Sequence, residues 1–322
     1  MQLDGIHHIT AITGDAQGNV DFYTRTLGLR MIAKTVNQDD PSVYHLFYGD
    51  ENAQPGADLT FFEYPGAVPG RPGAGMVHRV MWRVGSPAAL DFWAARLGDD
   101  GVDVSRDGDT LRFADPEGLA HELVVTMTAD PPLIAEHPEV PAEHALQGFE
   151  GVRAYSARPE SSALVLEKLM GAQRREAGEG EGGGGAFELR GERRGGWIAW
   201  DPPPDAPGRQ SAGVVHHLAF ATTQADMPKW IERVTSAGIP NSGYVDRHYF
   251  HSLYFREPSG VLYELATREP GFTVDGPVEE LGTKLILPPF LEPRREQIAA
   301  ALTPLPLPRA SWPTTAQTGG RS

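Results

Sequence analysis

The chain contains no cysteine among its 322 residues. This absence excludes disulfides, zinc–thiolate sites, iron–sulfur clusters and a thiol nucleophile. The sequence also lacks a run of the roughly 18 or more apolar residues that a membrane helix needs. Its first residues show no basic segment leading into an apolar core. We therefore expect a cytoplasmic protein without a secretory signal and without a membrane as partner.

Positive charge is scarce in this chain. Lysine and arginine together number 28 against 43 aspartates and glutamates, which gives a formal net charge of −15. Such a chain repels nucleic acid and anionic lipid, so neither is an expected partner. Its 40% hydrophobic and 22% charged residues are typical of a globular protein, and its length suits two domains. The expected ligand is a small molecule, and a homo-oligomer is compatible with the sequence.

A fourfold internal repeat organises the sequence. Four short apolar or β-branched runs, each led by glycine, suit β-strands and begin near positions 5, 75, 148 and 214. A helix-like stretch follows each run, at residues 18–27, 87–97, 159–170 and 224–237. Further short strands complete each copy. The repeated unit is therefore one strand, one helix and three strands.

This repeat predicts an α+β fold. Four βαβββ modules are expected to pair into two domains with curved, mixed or antiparallel sheets. In chain order, modules 1 and 2 form an amino-terminal domain at residues 1–140, and modules 3 and 4 form a carboxy-terminal domain at residues 141–292. Residues 293–322 are expected to form one amphipathic helix and a flexible tail rich in proline, threonine and glycine.

Histidine occupies the same strand position in the first and fourth modules, as His8 and His217. The last strand of the fourth module carries Glu264, after the turn at residues 257–260. Two imidazoles and one carboxylate form the facial donor set that leaves positions on Fe(II) open for substrate and O₂, and Mn(II) suits the same set. The sequence therefore predicts a metal site shared by modules 1 and 4. These two modules must then pack together, which leaves modules 2 and 3 to pair.

The second module provides an internal comparison for this metal site. It closes with a similar turn at residues 115–118, and Glu122 corresponds to Glu264, but Arg79 stands where the fourth module has its histidine. In the third module we assign the corresponding position to Val152. Glu122 is therefore expected to form a salt bridge or another structural contact.

Strand alternation predicts the face on which each neighbour of the predicted metal ligands lies. Thr10 shares a face with His8, so its hydroxyl is expected beside the metal, in reach of a substrate oxygen. His7 and His216 point away from that face unless their strands are bulged. Two interpretations of this pair stay open: they are buried histidines bonded to the backbone, or they support the metal ligands.

Arg247 and Tyr254 precede Glu264 on neighbouring predicted strands. A guanidinium and a phenol beside an open metal would serve a phenolate substrate, the first by its charge and the second by proton transfer. We therefore predict both as catalytic residues.

With these residues the sequence resembles the vicinal-oxygen-chelate superfamily, which includes glyoxalase I, bleomycin-resistance proteins and type I extradiol dioxygenases. More narrowly, it looks like the branch that cleaves hydroquinones and chlorohydroquinones. The likeness covers nearly the whole chain and is carried by residues 5–17, 21–23, 34–37, 44–46, 246–264, 281–282 and 287–289.

The resemblance implies iron held by His8, His217 and Glu264 and surrounded by Tyr254, Arg247, His216, His7 and Thr10. In catechol-cleaving relatives the third and fourth modules usually hold the metal, whereas here the third module lacks the histidine. The implied site joins modules 1 and 4, as in the hydroquinone-type branch. The implied reaction inserts O₂ into a hydroquinone- or catechol-type diol that binds as an ionised phenol, and it opens the ring.

Two other classes of function remain open at this point. A metal-dependent lyase or isomerase of the glyoxalase or epimerase kind favours four ligands, for which the first module offers Glu63 near a strand end. A metal-free protein that sequesters a small molecule, like the bleomycin-binding members, has no need of an intact ligand set.

Overall fold

The computed structural model describes residues 1–175 and 183–311. Each module has the predicted order of one strand, one helix and three strands. Module 1 contains β1–β4, at Ile6–Thr13, Arg30–Val36, Tyr44–Gly49 and Asp58–Glu63. Module 2 contains β5–β8, at Val77–Val84, Ser105–Asp107, Thr110–Ala114 and Ala120–Val125. Module 3 contains β9–β12, at Phe149–Tyr155, Gln173–Arg174, Ala186–Arg190 and Gly195–Asp201. Module 4 contains β13–β16, at Val215–Thr222, Val245–Asp246, Phe250–Arg256 and Leu262–Pro270.

One helix follows the first strand of each module, as predicted, and a fifth follows the last module. Helices α1–α5 span Ala16–Asp21, Pro87–Asp99, Pro159–Leu164, Met227–Ser236 and Arg295–Ala301. In modules 1 and 3 the helix continues as a π-helical turn, at Phe22–Thr26 and Val165–Leu169. Short 3₁₀ turns lie at Phe272–Asp275, Val278–Glu280, Glu292–Arg294 and Pro308–Ser311. Helix α5 is the one expected after residue 293, whereas most of the predicted tail, from residue 312, lies outside the described residues. Across the described ranges, the helices are too short or too polar to span a membrane.

Two eight-stranded sheets pair the modules. Modules 4 and 1 form one sheet in the order β14-β15-β16-β13-β1-β4-β3-β2, and modules 3 and 2 form the other in the order β10-β11-β12-β9-β5-β8-β7-β6. The first strands of two modules pair antiparallel at the centre of each sheet, and each also pairs parallel with the last strand of its own module. The sheets are therefore mixed, and module 1 lies beside module 4 as the shared metal site required.

The domain boundary expected near residue 140 falls between β8 and β9, in the connection from module 2 to module 3. Each sheet takes one module from either side of that boundary. The division into residues 1–140 and 141–292 remains a proposal about the chain halves, whereas the backbone hydrogen bonds group module 1 with 4 and module 2 with 3.

The four central strands are all bulged near their start. Register shifts leave one extra residue in each: His7 in β1, His216 in β13, His78 in β5 and Glu150 in β9. A bulge bends the strand locally and turns the extra side chain out of the regular alternation. The bulged alternative considered for His7 and His216 is therefore the one observed.

The sheet of modules 1 and 4 curves strongly enough for its two edges, β14 and β2, to approach each other. Gln38 follows β2, and its Nε2 donates to the carbonyl oxygen of Arg247, which follows β14, at 2.9 Å. A later segment lines the outer side of β2, where Leu285 bridges to Lys34 and the N–H of Ile286 donates to the Lys34 carbonyl at 2.9 Å. The sheet thus encloses its inner face.

A buried hydrogen-bond cluster ties the helical segment of module 1 to the end of module 2. The hydroxyl of Tyr23 donates to Oδ2 of Asp115 at 2.9 Å and lies 3.0 Å from Nε2 of His121. Trp82 Nε1 donates to Nδ1 of His121 at 3.2 Å, so the Nε2 of that ring carries the proton. Burial raises the pKa of Asp115 to about 6. These hydrogen bonds therefore connect two modules that belong to different sheets.

Candidate metal centre and its cavity

Three buried side chains converge on the inner face of the sheet of modules 1 and 4. The Nε2 atoms of His8 and His217 lie 3.1 and 3.0 Å from the same oxygen, Oε2 of Glu264. The two Nε2 atoms are 3.2 Å apart. In the part of the chain that the structure describes, this is the one group of three such side chains with converging donor atoms. The three predicted metal ligands thus lie together.

The strand register explains this convergence. His8 on β1 pairs with Ala219 on β13, and Ala219 pairs with Glu264 on β16. His217 lies two residues before Ala219, so its side chain emerges on the same face of β13. Three adjacent strands therefore supply one donor each.

The position related to Glu264 by the local symmetry of the sheet holds a threonine. Glu264 is reached from His8 across Ala219, whereas Thr60 on β4 is reached from His217 across Thr10. A symmetric site with two imidazoles and two carboxylates would need its second acid at this position. The sheet supplies a hydroxyl there instead.

Glu63, which the sequence offered for a four-ligand site, lies elsewhere. Its Oε1 is 3.3 Å from the N–H of Ala16, at the start of helix α1. Its carboxylate does not belong to the converging group found in the described residues. The four-ligand arrangement expected of a lyase or isomerase is therefore not built from Glu63.

The geometry of the three donors suits a bound cation. Donor atoms on one face of an octahedron lie about 3 Å apart when each metal–ligand bond is about 2.1 Å. Oε2 of Glu264 is buried and accepts no hydrogen bond of acceptable angle, although two imidazole nitrogens are close to it. Oε1 of the same residue accepts from the hydroxyl of Ser252 at 2.5 Å.

Hydrogen bonds fix His8 in the tautomer that a metal requires. Nε2 of His7 lies 3.1 Å from the carbonyl oxygen of Thr267, which can only accept, so this nitrogen carries the proton. Burial lowers the pKa of His7 to about 3, and the neutral ring then accepts through Nδ1. That atom is 3.0 Å from Nδ1 of His8. His8 therefore keeps its proton on Nδ1 and directs the lone pair of Nε2 toward Glu264, an arrangement common for metal-binding histidines.

His216 has the related position beside His217. The Nδ1 atoms of the two rings are 2.8 Å apart, and burial lowers the pKa of His216 to about 4. Unlike His7, which is buried, His216 is half-buried and lines a cavity. The bulges thus bring His7 and His216 into contact with His8 and His217, the two candidate metal ligands.

A cavity of about 200 Å³ opens beside the three donors. Its wall is largely aromatic, with rings contributed by Phe47, Phe62, Tyr249 and Phe250. The ring of Phe250 is centred 4.9 Å from that of His8. A flat aromatic ligand would therefore find ring surfaces on several sides of this cavity.

Arg247 and Tyr254, two of the predicted catalytic residues, line the same cavity. The ring of Tyr254 is centred 5.8 Å from that of His217, and Tyr254 pairs with Glu264 across the strands. Cζ of Arg247 lies 5.5 Å from the centre of the Tyr254 ring. Burial raises the pKa of Tyr254, so its phenol is protonated at neutral pH and can donate a hydrogen bond.

The place of Thr10 differs from its prediction. Thr10 is fully buried, and its hydroxyl lies 2.7 Å from the hydroxyl of Thr60. The Thr60 hydroxyl is in turn 3.0 Å from Nε2 of His45, which lines the cavity. Thr10 shares the face of His8, as alternation predicted, but its hydroxyl bonds across to β4 and does not line the cavity. His45, and not Thr10, lines the cavity.

Sequence reasoning missed His45 and Ser252. Each lies within a short strand whose other residues are mainly apolar or aromatic, and such a polar residue in a buried strand was the available signal. Neither has a counterpart among the repeated histidines. Their contacts, to Thr60 and to Glu264, arise across strands and could not be obtained from spacing.

The sheet of modules 2 and 3 has ion pairs where the other sheet has the donors. Nη1 of Arg79 and Nε of Arg112 donate to the same Oε2 of Glu122, at 2.9 and 3.1 Å. Arg112 pairs with Glu122 across the strands as Tyr254 pairs with Glu264. The salt bridge expected for Glu122 is therefore observed.

The residue of module 3 that corresponds to His8 is Gly151, and the assignment to Val152 was wrong by one position. Gly151 pairs with Met81, which pairs with Glu122. Because adjacent strand residues face opposite sides, a shift of one residue changes the face. The correction leaves module 3 without a possible ligand at this position.

Comparison with known proteins identifies the family. The family model described as "Glyoxalase/Bleomycin resistance protein/Dioxygenase superfamily" matches residues 5–123 and 152–265. The chain is 39% identical to "Putative ring-cleaving dioxygenase MhqA" of Bacillus subtilis (strain 168), over 95% of this chain and 100% of that protein. It is 32% identical to "Chlorohydroquinone/hydroquinone 1,2-dioxygenase" of Sphingobium indicum, over 92% of this chain and 95% of that protein.

Solved structures agree with this result. A crystal structure of a "putative dioxygenase" from Bacillus subtilis superposes with a TM-score of 0.88 at 37% identity and covers 95% of this chain and 98% of that one. Glyoxalase I from Zea mays, at 16% identity, shares the fold with a TM-score of 0.57 over 82% of this chain and 92% of that one. The chain belongs to the glyoxalase, bleomycin resistance protein and dioxygenase superfamily.

Proposed function

We propose that this protein is a metal-dependent ring-cleaving dioxygenase that inserts O₂ into an aromatic diol of the hydroquinone type. Both oxygen atoms enter the product and one carbon–carbon bond of the ring breaks, so no external reductant is needed. The observation that carries the proposal is a set of three donors, not four, at the wall of an aromatic cavity. Three protein ligands leave positions for substrate and O₂.

Fe(II) is the proposed metal, and Mn(II) suits the same donors. His8, His217 and Glu264 would hold it. When bound, it would supply the Lewis acidity that favours an ionised phenol and the redox chemistry that O₂ requires. The names of the relatives from Bacillus subtilis and Sphingobium indicum support dioxygenase chemistry over lyase chemistry.

The residues of the cavity have separate proposed tasks. Arg247 offers a fixed positive charge for the phenolate oxygen, and Tyr254 donates its hydroxyl proton to a substrate oxygen in a hydrogen bond. Ser252 holds Glu264, and His7 and His216 orient the two metal-ligand imidazoles. The aromatic rings bind the faces of the substrate ring and keep water from them.

An oxygen-electrode assay on the Fe(II)-loaded protein tests the function. Substituted hydroquinones should be consumed with an equal amount of O₂, and a chelator should stop the reaction. Adducts of methylglyoxal with a thiol should not react. If every hydroquinone and catechol is inert while such an adduct is converted, the protein is a lyase or isomerase and the proposal fails.

The role of Tyr254 has its own test. Tyr254→Phe removes the hydroxyl and keeps the ring against His217, so metal content should not change. A positioned proton donor typically contributes about 10²–10⁴-fold, and kcat should fall by that order. An unchanged kcat in a fully metal-loaded variant would exclude a role in proton transfer.

A further inference from the structure

Asp39 of module 1 contacts Arg247 of module 4, a predicted catalytic residue. We propose that Asp39 is a positioning residue that holds the guanidinium of Arg247 toward the cavity and thereby gives the site its preference for ionised phenols. This inference rests on the proposed function, because Arg247 serves a phenolate there. Asp39 lies in the loop between β2 and β3, and Arg247 follows β14, at the opposite edge of the same sheet.

The contact between Arg247 and Asp39 is bidentate. Nη2 of Arg247 lies 3.0 Å from Oδ2 of Asp39, and Nη1 lies 3.3 Å from Oδ1. The preceding residue, Gln38, donates to the carbonyl oxygen of Arg247 at 2.9 Å. All three residues line the cavity. One short loop therefore holds both the side chain and the backbone of Arg247.

A carboxylate that binds both Nη atoms fixes the plane of a guanidinium, which is otherwise carried on a long flexible chain. The guanidinium of Arg247 also lies over the ring of Tyr254, with Cζ 5.5 Å from the ring centre. The remaining N–H groups of Arg247 are then held in one orientation between the loop and the cavity. Without Asp39, the guanidinium could turn into solvent at the cavity mouth.

The negative charge of Asp39 could instead weaken the binding of an anionic substrate. Its side chain is 73% exposed, however, whereas that of Arg247 is 24% exposed. Water and salt therefore screen the charge of Asp39 from the cavity, while its two hydrogen bonds act on Arg247 directly. We accordingly expect the loss of orientation to outweigh the relief of repulsion.

The backbone near Arg247 is held independently of Asp39. The next residue, His248, has a φ of 73°, in the left-handed region, and its Nε2 lies 2.8 Å from Oδ1 of Asp275. A substitution of Asp39 should therefore leave this turn in place. Its effect should be confined to the direction of the Arg247 side chain.

Asp40 provides a matched control in the same loop. Its Oδ1 accepts from the hydroxyl and the N–H of Ser42, at 2.6 and 3.2 Å. Asp39→Asn and Asp40→Asn make the same change of charge one residue apart. Asp39→Asn should raise the KM for hydroquinones about tenfold with kcat within about twofold. This is the pattern expected when the bound substrate and the transition state lose the same amount of binding energy. Asp40→Asn should leave both unchanged, and Asp39→Glu should restore most of the loss.

A spectroscopic measurement separates positioning from a structural effect. Titrated anaerobically with the Fe(II)-loaded protein, 4-nitrophenol should bind as its coloured anion, and its apparent pKa on the protein should be higher in Asp39→Asn than in the wild type or Asp40→Asn. A KM that is unchanged or lowered in Asp39→Asn, an equal effect of Asp40→Asn, or no binding of the probe to the wild type overturns the proposal.

The two proposals fail separately. If the probe responds to Asp39→Asn but no phenol consumes O₂, the proposed function is wrong and the role of Asp39 stands. If hydroquinones turn over normally in Asp39→Asn, only the role of Asp39 is wrong.

Discussion

His217 contributes one of the three converging donors. His217→Ala should abolish stoichiometric metal binding, since only two ligands remain, while the backbone pairing of β13 is unaffected. Elemental analysis after dialysis measures the metal, and circular dichroism verifies the fold. Glu122→Gln is the control, because this repeat-equivalent carboxylate binds Arg79 and Arg112. Its metal content should equal that of the wild type, and a full complement of metal in His217→Ala would disprove the assignment.

A variant of His7 distinguishes the two interpretations that the sequence left open, a bond to the backbone alone or support of a metal ligand. If it only bonds to the backbone, its removal should not affect metal binding. If it fixes the His8 tautomer, His7→Ala should weaken metal affinity by about 10–100-fold, the usual effect of losing a partner of a metal ligand. Competition with a coloured chelator measures the affinity. His45→Ala alters the cavity wall but removes no hydrogen bond of His8, His217 or Glu264. It should therefore bind metal as tightly as the wild type.

The convergence of His8 and His217 could be predicted, because a repeat places them at the same position. The supporting contacts could not, since they depend on a bulge. Regular alternation directs His7 away from His8, and one extra residue in the strand reverses that direction. For Thr10 the sequence predicted the strand face but not the hydrogen-bond partner, because the partner of its hydroxyl comes from another strand.

At the scale of elements, the π-helical turn after α1 is fastened to module 2 by Tyr23. Tyr23→Phe leaves Oδ2 of Asp115 and Nε2 of His121 without this partner. An unsatisfied buried polar group costs about 1–3 kcal/mol, so the free energy of unfolding should fall by about that amount, as measured by denaturant titration. The metal content should not change, because the cluster lies outside the donor set. A variant as stable as the wild type would show that the hydroxyl contributes nothing.

The same variant has a predictable pH dependence. Burial raises the pKa of Asp115 to about 6, against which the hydrogen bond from Tyr23 stabilises the carboxylate. Removing that bond raises this pKa further, so the folded variant retains its proton to higher pH than the folded wild type. The loss of stability should therefore be larger at pH 8, where the carboxylate is ionised, than at pH 5. Equal losses at both pH values would contradict this account.

The order of elements followed from hydrophobic patterns and turns, and even the choice of module pairs followed from the histidines. The detailed register did not. Val152 was assigned to the position of His8 in module 3, whereas the sheet aligns Gly151 with His8. The sequence could not give this row, because only the hydrogen-bonded ladder fixes which residues of distant modules lie side by side.

At the scale of the whole molecule, the candidate metal site joins the two halves of the chain. His8 and His217 are 209 residues apart and belong to opposite chain halves. Strand β1 pairs with β13 and β5 pairs with β9, so neither residues 1–140 nor residues 141–292 can unfold without breaking both sheets. We therefore expect one cooperative thermal transition for both halves, in spite of the length of the chain.

Metal should raise the temperature of that single transition. The donors are assembled only in the native state, so a metal at about 100 times its Kd adds about 2.7 kcal/mol to the free energy of unfolding. For a chain of this size that corresponds to several degrees in Tm. Differential scanning calorimetry with and without Fe(II), kept anaerobic, measures the shift, and His217→Ala should show none. Two separate transitions, of which metal moves only one, would mean that the two sheets unfold independently, because all three donors lie in the sheet of modules 1 and 4.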